Sequence, residues 1–496
     1  MTDDGTGTVG SFLLADCGSI STTVALFDLV EDEYRLIARA VSPTTIRMPW
    51  HDIVVGIQEA ASQVSAITGR PLITETGELI SPEQRNGSGV DFFGVTISAA
   101  RPLKVIIAGL LEDVSIASVR RALESIYAQE VSAFTLDTSH DEQSQIQAVL
   151  NERPDLLFIA GGADGSDPKQ LIDLLESLEL GAGLLNSARG PDILYAGNRQ
   201  LRERVTESFG ESATIYMAEN VRPSIEVEQL HDAKALLGKI YLERKLADVP
   251  GIQDLSSWVD APIEATGRAL ATMFDYFGAL YRAPVVGVDL GSNNVVLAAA
   301  DDAKPGHLFI RSNLGMGEPL PKILKDCEPH DILHWAPVDL DASQLKDFIY
   351  DKAIHPQTVP LTEDEVFLEQ ALARILLRQT LSQAARSWGW PTEGLSLPPL
   401  NLMVLRGSVL ANSARPGQAL LTVLDALQPS GVFSVAVDRH GILPMLGLMA
   451  AQDPAAVVQI LEGGVLYELG WVIAPVGAGT PGDHALHIVV VSEDKG

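Results

Sequence analysis

Two parts of the chain repeat one pattern of apolar and polar positions. In each part an apolar run ends in Asp-x-Gly-Ser, a second apolar run follows shortly, and a third comes after it. Short apolar runs on both sides of a glycine-containing polar turn predict a β-hairpin. Each part is therefore predicted to fold as strand, turn, strand, strand. The runs are residues 12–15, 24–27 and 34–41 in the first unit and 285–288, 295–299 and 307–313 in the second.

The polar turns of the two units carry the candidate chemistry. Asp16 and Asp289 occupy matching positions, and the glycine that follows each lets the chain bend so that backbone amides can face phosphate oxygens. A carboxylate repels phosphate, but it can hold a hydrated magnesium ion. A single turn of this kind is more often an ordinary hairpin. Its recurrence in the same three-strand context favours two related lobes facing a shared cleft.

Four blocks follow one another along the chain. The first unit lies in a block of residues 1–102, the predicted first lobe. The second unit lies at the start of the last block, residues 284–496, the predicted second lobe. Between them, residues 103–222 alternate strand and helix patterns with short links, which predicts an inserted doubly wound domain with a parallel sheet. Residues 223–283 are predicted to form a helical bridge. The GGADGSD turn from Gly161 could bind an anion at a helix N-terminus or could be the tight turn that any strand-to-helix link requires.

One helix is predicted in detail inside the last block. Thr362 and Glu365 have the spacing of a capping box and precede an apolar stripe at helical spacing. Such a stripe is typical of a helix that packs against the core.

Composition narrows the classes of partner. The 496 residues carry a net charge of −30, which argues against binding to nucleic acid or to an anionic membrane surface. No apolar stretch reaches the roughly 18 residues of a membrane helix. The acidic start lacks the basic and apolar regions of a signal peptide, so a cytoplasmic location is expected. Cys17 and Cys327 are too few for a disulfide framework.

The paired turns resemble the phosphate motifs of the actin, sugar kinase and Hsp70 superfamily. The order of segments resembles, more narrowly, the MutL-type accessory proteins associated with coenzyme B12-dependent glutamate mutase, which are unrelated to the mismatch-repair protein of that name. The resemblance extends from about residue 12 to residue 437. The stretches that carry it are FLLADCGSISTTVALFD, PDLLFIAGGADGSD, ILYAGNRQLRERV, AENVRPSIEVE, VVGVDLGSNN, SNLGMG, HPQTVPLTEDEVFLEQALAR and RGSVLANSARPGQALLTVLDALQPSGV.

The resemblance implies a two-lobed actin-like, ribonuclease H-like α/β fold that binds ATP and magnesium between its lobes. Asp16 and Asp289 would organise the metal, while the two turns contact phosphates and a third loop flanks the adenosine. The implied nucleotide-binding residues are Asp16, Gly18, Ser19, Ser21, Thr22, Thr23, Asp289, Gly291, Ser292, Asn293, Gly407, Ser408 and Val409.

The sequence departs from the family pattern at all three motifs. Thr23 stands where relatives often carry a lysine, and Val296 stands where the second motif ends in an acid. The expected doubled glycine of the third motif is Gly407 and Ser408, preceded by Arg406, so a side chain stands where the base would approach. These changes together predict weak ATP hydrolysis or none.

The function implied by the resemblance is an accessory or chaperone-like role. Binding of MgATP would close the lobes and act on a protein partner, such as a B12-dependent mutase. The alternative is an actin-like or division-adaptor-like scaffold, a pseudo-ATPase that self-associates into filaments. A small-molecule kinase is a weaker alternative, because no acid is recognisably placed as general base for a substrate hydroxyl.

Overall fold

The computed structural model describes residues 9–136, 142–167, 169–185, 190–210, 213–301, 304–390 and 399–475, together with residues 397, 480, 482, 484 and 486–489. Three β-sheets organise this part of the chain. None of the helices found in it has both the length and the apolar character to cross a membrane.

The first lobe is built on a five-stranded sheet in the order β3-β2-β1-β4-β10. Strand β1 runs antiparallel to β2 and parallel to β4, so the β1–β2 hairpin lies in the middle of the sheet. An Asp52 side chain that accepts the amide of Val54 caps the helix α1. The elements are β1 (Ser11–Cys17), β2 (Ser21–Val30), β3 (Glu33–Pro43), α1 (Ile53–Thr68), β4 (Phe92–Ile97) and β10 (Glu264–Ala265).

The inserted domain has a sheet of its own, in the order β6-β5-β7-β8-β9 with every neighbouring pair parallel. Parallel neighbours need crossover connections, and helices supply them here. The GGADGSD segment is a tight turn in which Asp164 accepts hydrogen bonds from Asn220 and Arg199. The elements are β5 (Leu103–Ala108), α2 (Ala117–Leu123), β6 (Ala128–Phe134), α3 (Glu142–Glu152), β7 (Leu156–Ile159), α4 (Lys169–Leu184), β8 (Asp192–Tyr195), α5 (Arg202–Phe209) and β9 (Ile215–Met217).

The predicted bridge between the inserted domain and the second unit contains helices, the two-residue strand β10 and connecting loops. It contains α6 (His231–Tyr241), α7 (Ile252–Ser256) and α8 (Thr266–Tyr281). Strand β10 pairs with β4 just before α8 begins, so the chain returns to the first-lobe sheet before it enters the second lobe. Strand β10 was not predicted, because a strand of two residues is too short to show a periodic pattern of apolar residues.

The second lobe repeats the strand order of the first. Its sheet runs β13-β12-β11-β14-β15-β16, with β11 antiparallel to β12 and parallel to β14. The predicted capping box of Thr362 and Glu365 is present at the start of α12. The strands are β11 (Val285–Leu290), β12 (Asn294–Asp301), β13 (Lys304–Ser312), β14 (Leu402–Arg406), β15 (Gly431–Val437) and β16 (Tyr467–Ala474). The helices are α9 (Ile323–Asp326), α10 (Pro329–Leu333), α11 (Ala342–Ile354), α12 (Glu363–Trp388), α13 (Ser408–Ala411), α14 (Pro416–Leu427), α15 (Leu443–Ala450) and α16 (Pro454–Glu462).

Two helices cross between the lobes. Helix α8 follows the last strand of the first-lobe sheet and packs on β11, β12 and β13 of the second lobe. Helix α15 follows β15 of the second lobe and packs on β1 and β4 of the first. The two helices also pack against each other, and their apolar side chains belong to the same buried cluster as the first-lobe core. The lobes are therefore joined at the base of the cleft by an exchanged pair of helices.

Candidate functional site

The tips of the two hairpins are built alike. In the first, the amide of Gly18 donates to the carbonyl of Ser21 at 2.9 Å, and in the second the amide of Gly291 donates to the carbonyl of Asn294 at 3.0 Å. Each bond closes a tight turn immediately after the strand that carries the aspartate. Within the described residues, the amides inside the turns donate no hydrogen bond to another protein group: those of Ser19, Ile20, Ser292 and Asn293. Such amides can bind an anion.

A cavity of about 610 Å³ lies between the two turns. Side chains of both lobes line it, as expected for two related lobes that face a shared cleft. The cavity brings together every binding residue implied by the resemblance except Thr22: Asp16, Gly18, Ser19, Ser21, Thr23, Asp289, Gly291, Ser292, Asn293, Gly407, Ser408 and Val409. Thr22 is fully buried, and its hydroxyl lies 3.2 Å from that of Thr44. Its side chain therefore contributes to the packing of the first lobe.

The two aspartates of the turns share one guanidinium. Arg406 ends β14, directly beside Asp289 in the parallel pairing of β11 with β14. Its Nη1 donates to Oδ2 of Asp289, and its Nη2 donates to Oδ2 of Asp16 across the cleft. The Nε of Arg406 lies 3.7 Å from Oδ2 of Asp438, at the end of β15, and has no hydrogen-bond partner among the described residues. One arginine thus contacts carboxylates from three strands in two lobes.

The other oxygen of Asp16 and both oxygens of Asp438 are also engaged. Oδ1 of Asp16 accepts hydrogen bonds from the hydroxyls of Thr96 at 2.9 Å and Thr266 at 2.8 Å. The carboxylate of Asp438 accepts the amides of Ile442 at 3.1 Å and Leu443 at 3.0 Å, at the start of α15. The aspartates are therefore held in place by the first-lobe sheet and by both crossing helices.

Burial governs the electrostatics of this cluster. The exposed fraction of the side chain is 6% for Asp16, 9% for Asp289, 0% for Asp438 and 15% for Arg406. Burial raises the pKa of Asp289, and the positive charge of Arg406 offsets only part of that effect. Burial alone would lower the pKa of Arg406, but the three carboxylates raise it above the usual range. The guanidinium therefore remains charged, as arginine does in proteins.

Magnesium does not fit these carboxylates as they are arranged here. The ion needs near-octahedral oxygen ligands at about 2.0–2.1 Å and keeps several waters. Oδ2 of Asp16 and Oδ2 of Asp289 accept hydrogen bonds from Arg406 instead. In the part of the chain that the structure describes, no three His, Cys, Asp or Glu side chains are placed to share a metal ion. A metal at these positions stays a prediction, and the ion would have to displace the guanidinium.

The third loop approaches the second turn closely. Gly407 has a φ of 99°, and a Cβ added there would lie 2.1 Å from the carbonyl oxygen of Leu290. Only glycine tolerates both the left-handed backbone and this contact. Ser408 then begins the short helix α13 at the cavity wall. The side chain of Arg406 points toward the carboxylates.

The cavity also contains a buried ion pair that the sequence patterns did not reveal. Nζ of Lys352, on α11, lies 2.5 Å from Oε1 of Glu369, on α12, and donates to the carbonyl of Thr358 at 2.6 Å. Burial raises the pKa of Glu369, while Lys352 opposes that shift. Beside it, Nε2 of Gln370 is buried without a hydrogen-bond partner. The only signal in the sequence is the pair of polar residues that interrupts the apolar stripe of α12.

A second group that sequence patterns missed brings positive charge to the cavity. Arg39 on β3 lines it, and its buried Nε has no hydrogen-bond partner among the described residues. Arg439 and His440, which follow β15, line the same cavity. Burial and the nearby charges of Arg39 and Arg439 lower the pKa of His440. The signal for the second pair is the DRHG turn directly after an apolar run, the position that Asp-x-Gly occupies in the two hairpins.

The strand order and the cleft define the class of protein. Two lobes with the same strand order, each with an Asp-x-Gly hairpin facing a common cavity, form the actin-like, ribonuclease H-like fold, here with an inserted parallel α/β domain. The sequence matches the MutL protein family model over residues 12–465, and the chain belongs to that family. It is 25% identical over 494 residues to Protein MutL of Clostridium tetanomorphum, covering 91% of this chain and 98% of that protein.

Two solved structures that align with this chain have lower sequence identity to it than Protein MutL has. Nucleotide-free acetone carboxylase aligns with a TM-score of 0.38 and 10% identity, over 89% of this chain and 70% of that one. Nucleotide-free diol dehydratase-reactivating factor aligns with a TM-score of 0.34 and 12% identity, over 92% of this chain and 100% of that one. Both TM-scores are low, so the fold assignment stands on the strand order itself.

Proposed function

We propose that this protein is an accessory, chaperone-like protein that binds ATP between its lobes and uses lobe closure to act on a partner enzyme. The observation that carries the proposal is the cavity between two similarly built turns, whose residues line it from opposite lobes and include amides that donate no hydrogen bond to the protein within the described residues. Membership of the MutL family supports the accessory role. The expected partner is a B12-dependent mutase.

The crossing helices provide a path from the cleft to the lobes. Asp16 contacts the first residue of α8 through Thr266, and Asp438 contacts the start of α15 through the amides of Ile442 and Leu443. A ligand that draws the two turns together would therefore move both crossing helices. Closure about such a pair of helices is a hinge motion that can transmit binding free energy to a surface.

Hydrolysis of ATP is not part of this proposal. Val296 is buried, lines the cavity and carries no group that could orient a water. Glu369 also lines the cavity, but its carboxylate is paired with Lys352. The site therefore suits binding and release of ATP better than fast turnover.

Copurification tests the partner. The protein is coexpressed with the B12-dependent mutase of its own source and purified with ATP, with ADP or without nucleotide. We expect stoichiometric association whose strength depends on the nucleotide. Absence of association in all three conditions would contradict the mutase as partner, and nucleotide-dependent light scattering by the protein alone would favour the filament-forming alternative.

A further inference from the structure

We infer that Arg406 supplies, from within the chain, the cation that would otherwise sit between the two aspartates of the turns, so that the cleft binds a nucleoside triphosphate without a divalent metal. The inference deepens the proposed function and rests on it for the identity of the ligand. The position of the guanidinium itself is independent of that function, since it follows from three contacts in the structure.

The contacts of Arg406 are those of a cation held between two lobes. Its two terminal nitrogens donate to Asp289 of the second lobe and to Asp16 of the first, residues that lie 117 and 390 positions away in sequence. Its Nε faces Asp438 at 3.7 Å. A planar guanidinium with several donors suits such bridging of carboxylates better than a lysine would. The cluster therefore holds its own positive charge.

Displacement of the guanidinium by a metal ion is disfavoured by burial. The side chain of Arg406 is 15% exposed, and no other carboxylate contacts it among the described residues. Its charge is permanent, so it cannot be removed by deprotonation. An ion that took the two aspartates would leave a buried guanidinium with only Asp438 nearby, and a buried charge without its partner is strongly unfavourable.

The rest of the cavity supplies groups for the phosphates themselves. Ser19 and Ser292, whose amides donate no hydrogen bond to the protein within the described residues, line the cavity from opposite lobes, and Arg39 lines it as well. These donors are neutral dipoles and a guanidinium, and all of them attract phosphate oxygens. The ligand class that fits is a metal-free nucleoside triphosphate whose charge is met by amides and arginines.

The first experiment uses the metal alone. Thermal unfolding of the full chain is followed in EDTA and in magnesium chloride for the wild type, for Arg406→Ala and for Arg47→Ala, which removes an exposed arginine paired with Glu318. We expect the same small response to magnesium in the wild type and Arg47→Ala, and a larger rise in Tm for Arg406→Ala, because its two aspartates are then free to take the ion. Equal responses in all three proteins would overturn the inference.

Manganese binding, measured by electron paramagnetic resonance, tests directly whether the two aspartates take a metal ion. It does not depend on the thermal stability of the protein. Arg406→Ala should bind one Mn²⁺, and adding Asp16→Asn should weaken that binding by more than the roughly 10- to 100-fold that loss of an outer-shell partner costs, because Asp16 would be a direct ligand. If Arg406→Ala does not fold, Mn²⁺ binding by the wild type is sufficient to test the inference. Tight Mn²⁺ binding by the wild type that is lost in Asp16→Asn would overturn the inference, and its absence would support it.

Calorimetric titration with ATP separates this inference from the proposed function. The wild type should bind ATP with equal affinity in EDTA and in magnesium, whereas Arg406→Ala should need magnesium. A requirement for magnesium in the wild type would overturn the inference while leaving the nucleotide cleft intact. Absence of ATP binding in either buffer would contradict the proposed function, and the metal experiments would still decide the role of Arg406.

Discussion

Gly447 of α15 lies directly against the carbonyl of Ala269 of α8, so close that a Cβ added to the glycine would stand 1.9 Å from that oxygen. The two helices that cross between the lobes therefore meet main chain against main chain. Backbones approach this closely only where a residue has no side chain. The contact fixes the position of the lobes at the base of the cleft, on the side opposite the two turns.

Gly447→Ala is expected to destabilise the protein by about 1–3 kcal/mol, the usual cost of overpacking, or more if the backbones cannot separate. Gly183→Ala is the matched control, because a Cβ there meets nothing within 4 Å and Gly183 also lies in a helix. That control should leave stability unchanged or raise it by roughly 0.4–1 kcal/mol. Urea denaturation measures both variants. Equal stability of the two would contradict the close contact.

The ion pair of Lys352 and Glu369 should behave as a buried pair. Lys352→Met leaves the carboxylate of Glu369, 10% exposed, without its cation. Breaking a buried pair in this way costs about 3–5 kcal/mol, whereas replacing both partners by apolar residues is often neutral. The double variant Lys352→Met/Glu369→Leu should therefore recover most of the lost stability in denaturant titrations. A single variant as stable as the wild type would show that the pair is open to water.

Stability should fall as the pH rises from about 4.5 to about 7 because of Glu124. Burial raises the pKa of Glu124 to about 7, and the opposing effects of Ser387, Lys234 and Arg121 are smaller. A carboxyl group whose pKa is higher in the folded state than in the unfolded state stabilises the fold at low pH. That contribution is lost as the pH rises through the folded pKa. Glu124 accepts a hydrogen bond from Ser387 of α12, which places it at the contact between the inserted domain and the second lobe.

Denaturation midpoints measured from about pH 4.5 to about pH 8 test this linkage. Glu124→Gln should remove the fall in stability over that range. Glu112→Gln, which changes a more exposed carboxylate paired with Arg120, should keep the wild-type profile. If Glu124→Gln keeps that profile as well, the titrating group lies elsewhere.

Arg39 should contribute to binding of the phosphates. Arg39 lines the cavity and carries a positive charge, so Arg39→Ala is expected to weaken ATP binding by about 1.5–3 kcal/mol, the usual worth of a hydrogen bond to a charged group. Arg35 on the same strand is the control, since it bonds to Glu33 and to the carbonyl of Gln459. Calorimetric titration should find Arg35→Ala unchanged. Equal affinities of the wild type and Arg39→Ala would place the phosphates away from β3.

Hydrophobic periodicity predicted much of this fold because it reports local burial. The three-strand units around Asp16 and Asp289 and the capping box at Thr362 are local features, and the structure confirms them. Strand β10 escaped prediction because its two residues gain their structure only by pairing with β4. Residues 476–479 and 491–496, near the end of the predicted second lobe, lie outside the described residues.

The role of Arg406 could not be predicted from the sequence for a different reason. The residue was visible only as a departure from the family pattern before Gly407, and its partners are 117 and 390 residues away. Contacts of that range follow from the meeting of the two lobes, which no local pattern encodes. Lys352 and Glu369 were missed likewise, because their pairing depends on how α11 packs beside α12.

The central claim is that the cavity between the two turns binds ATP. Calorimetric titration of the purified protein with ATP tests it most directly, with adenosine as a control that lacks the phosphates. We expect micromolar binding of ATP and much weaker binding of adenosine. Absence of ATP binding by the intact, folded wild type would contradict it.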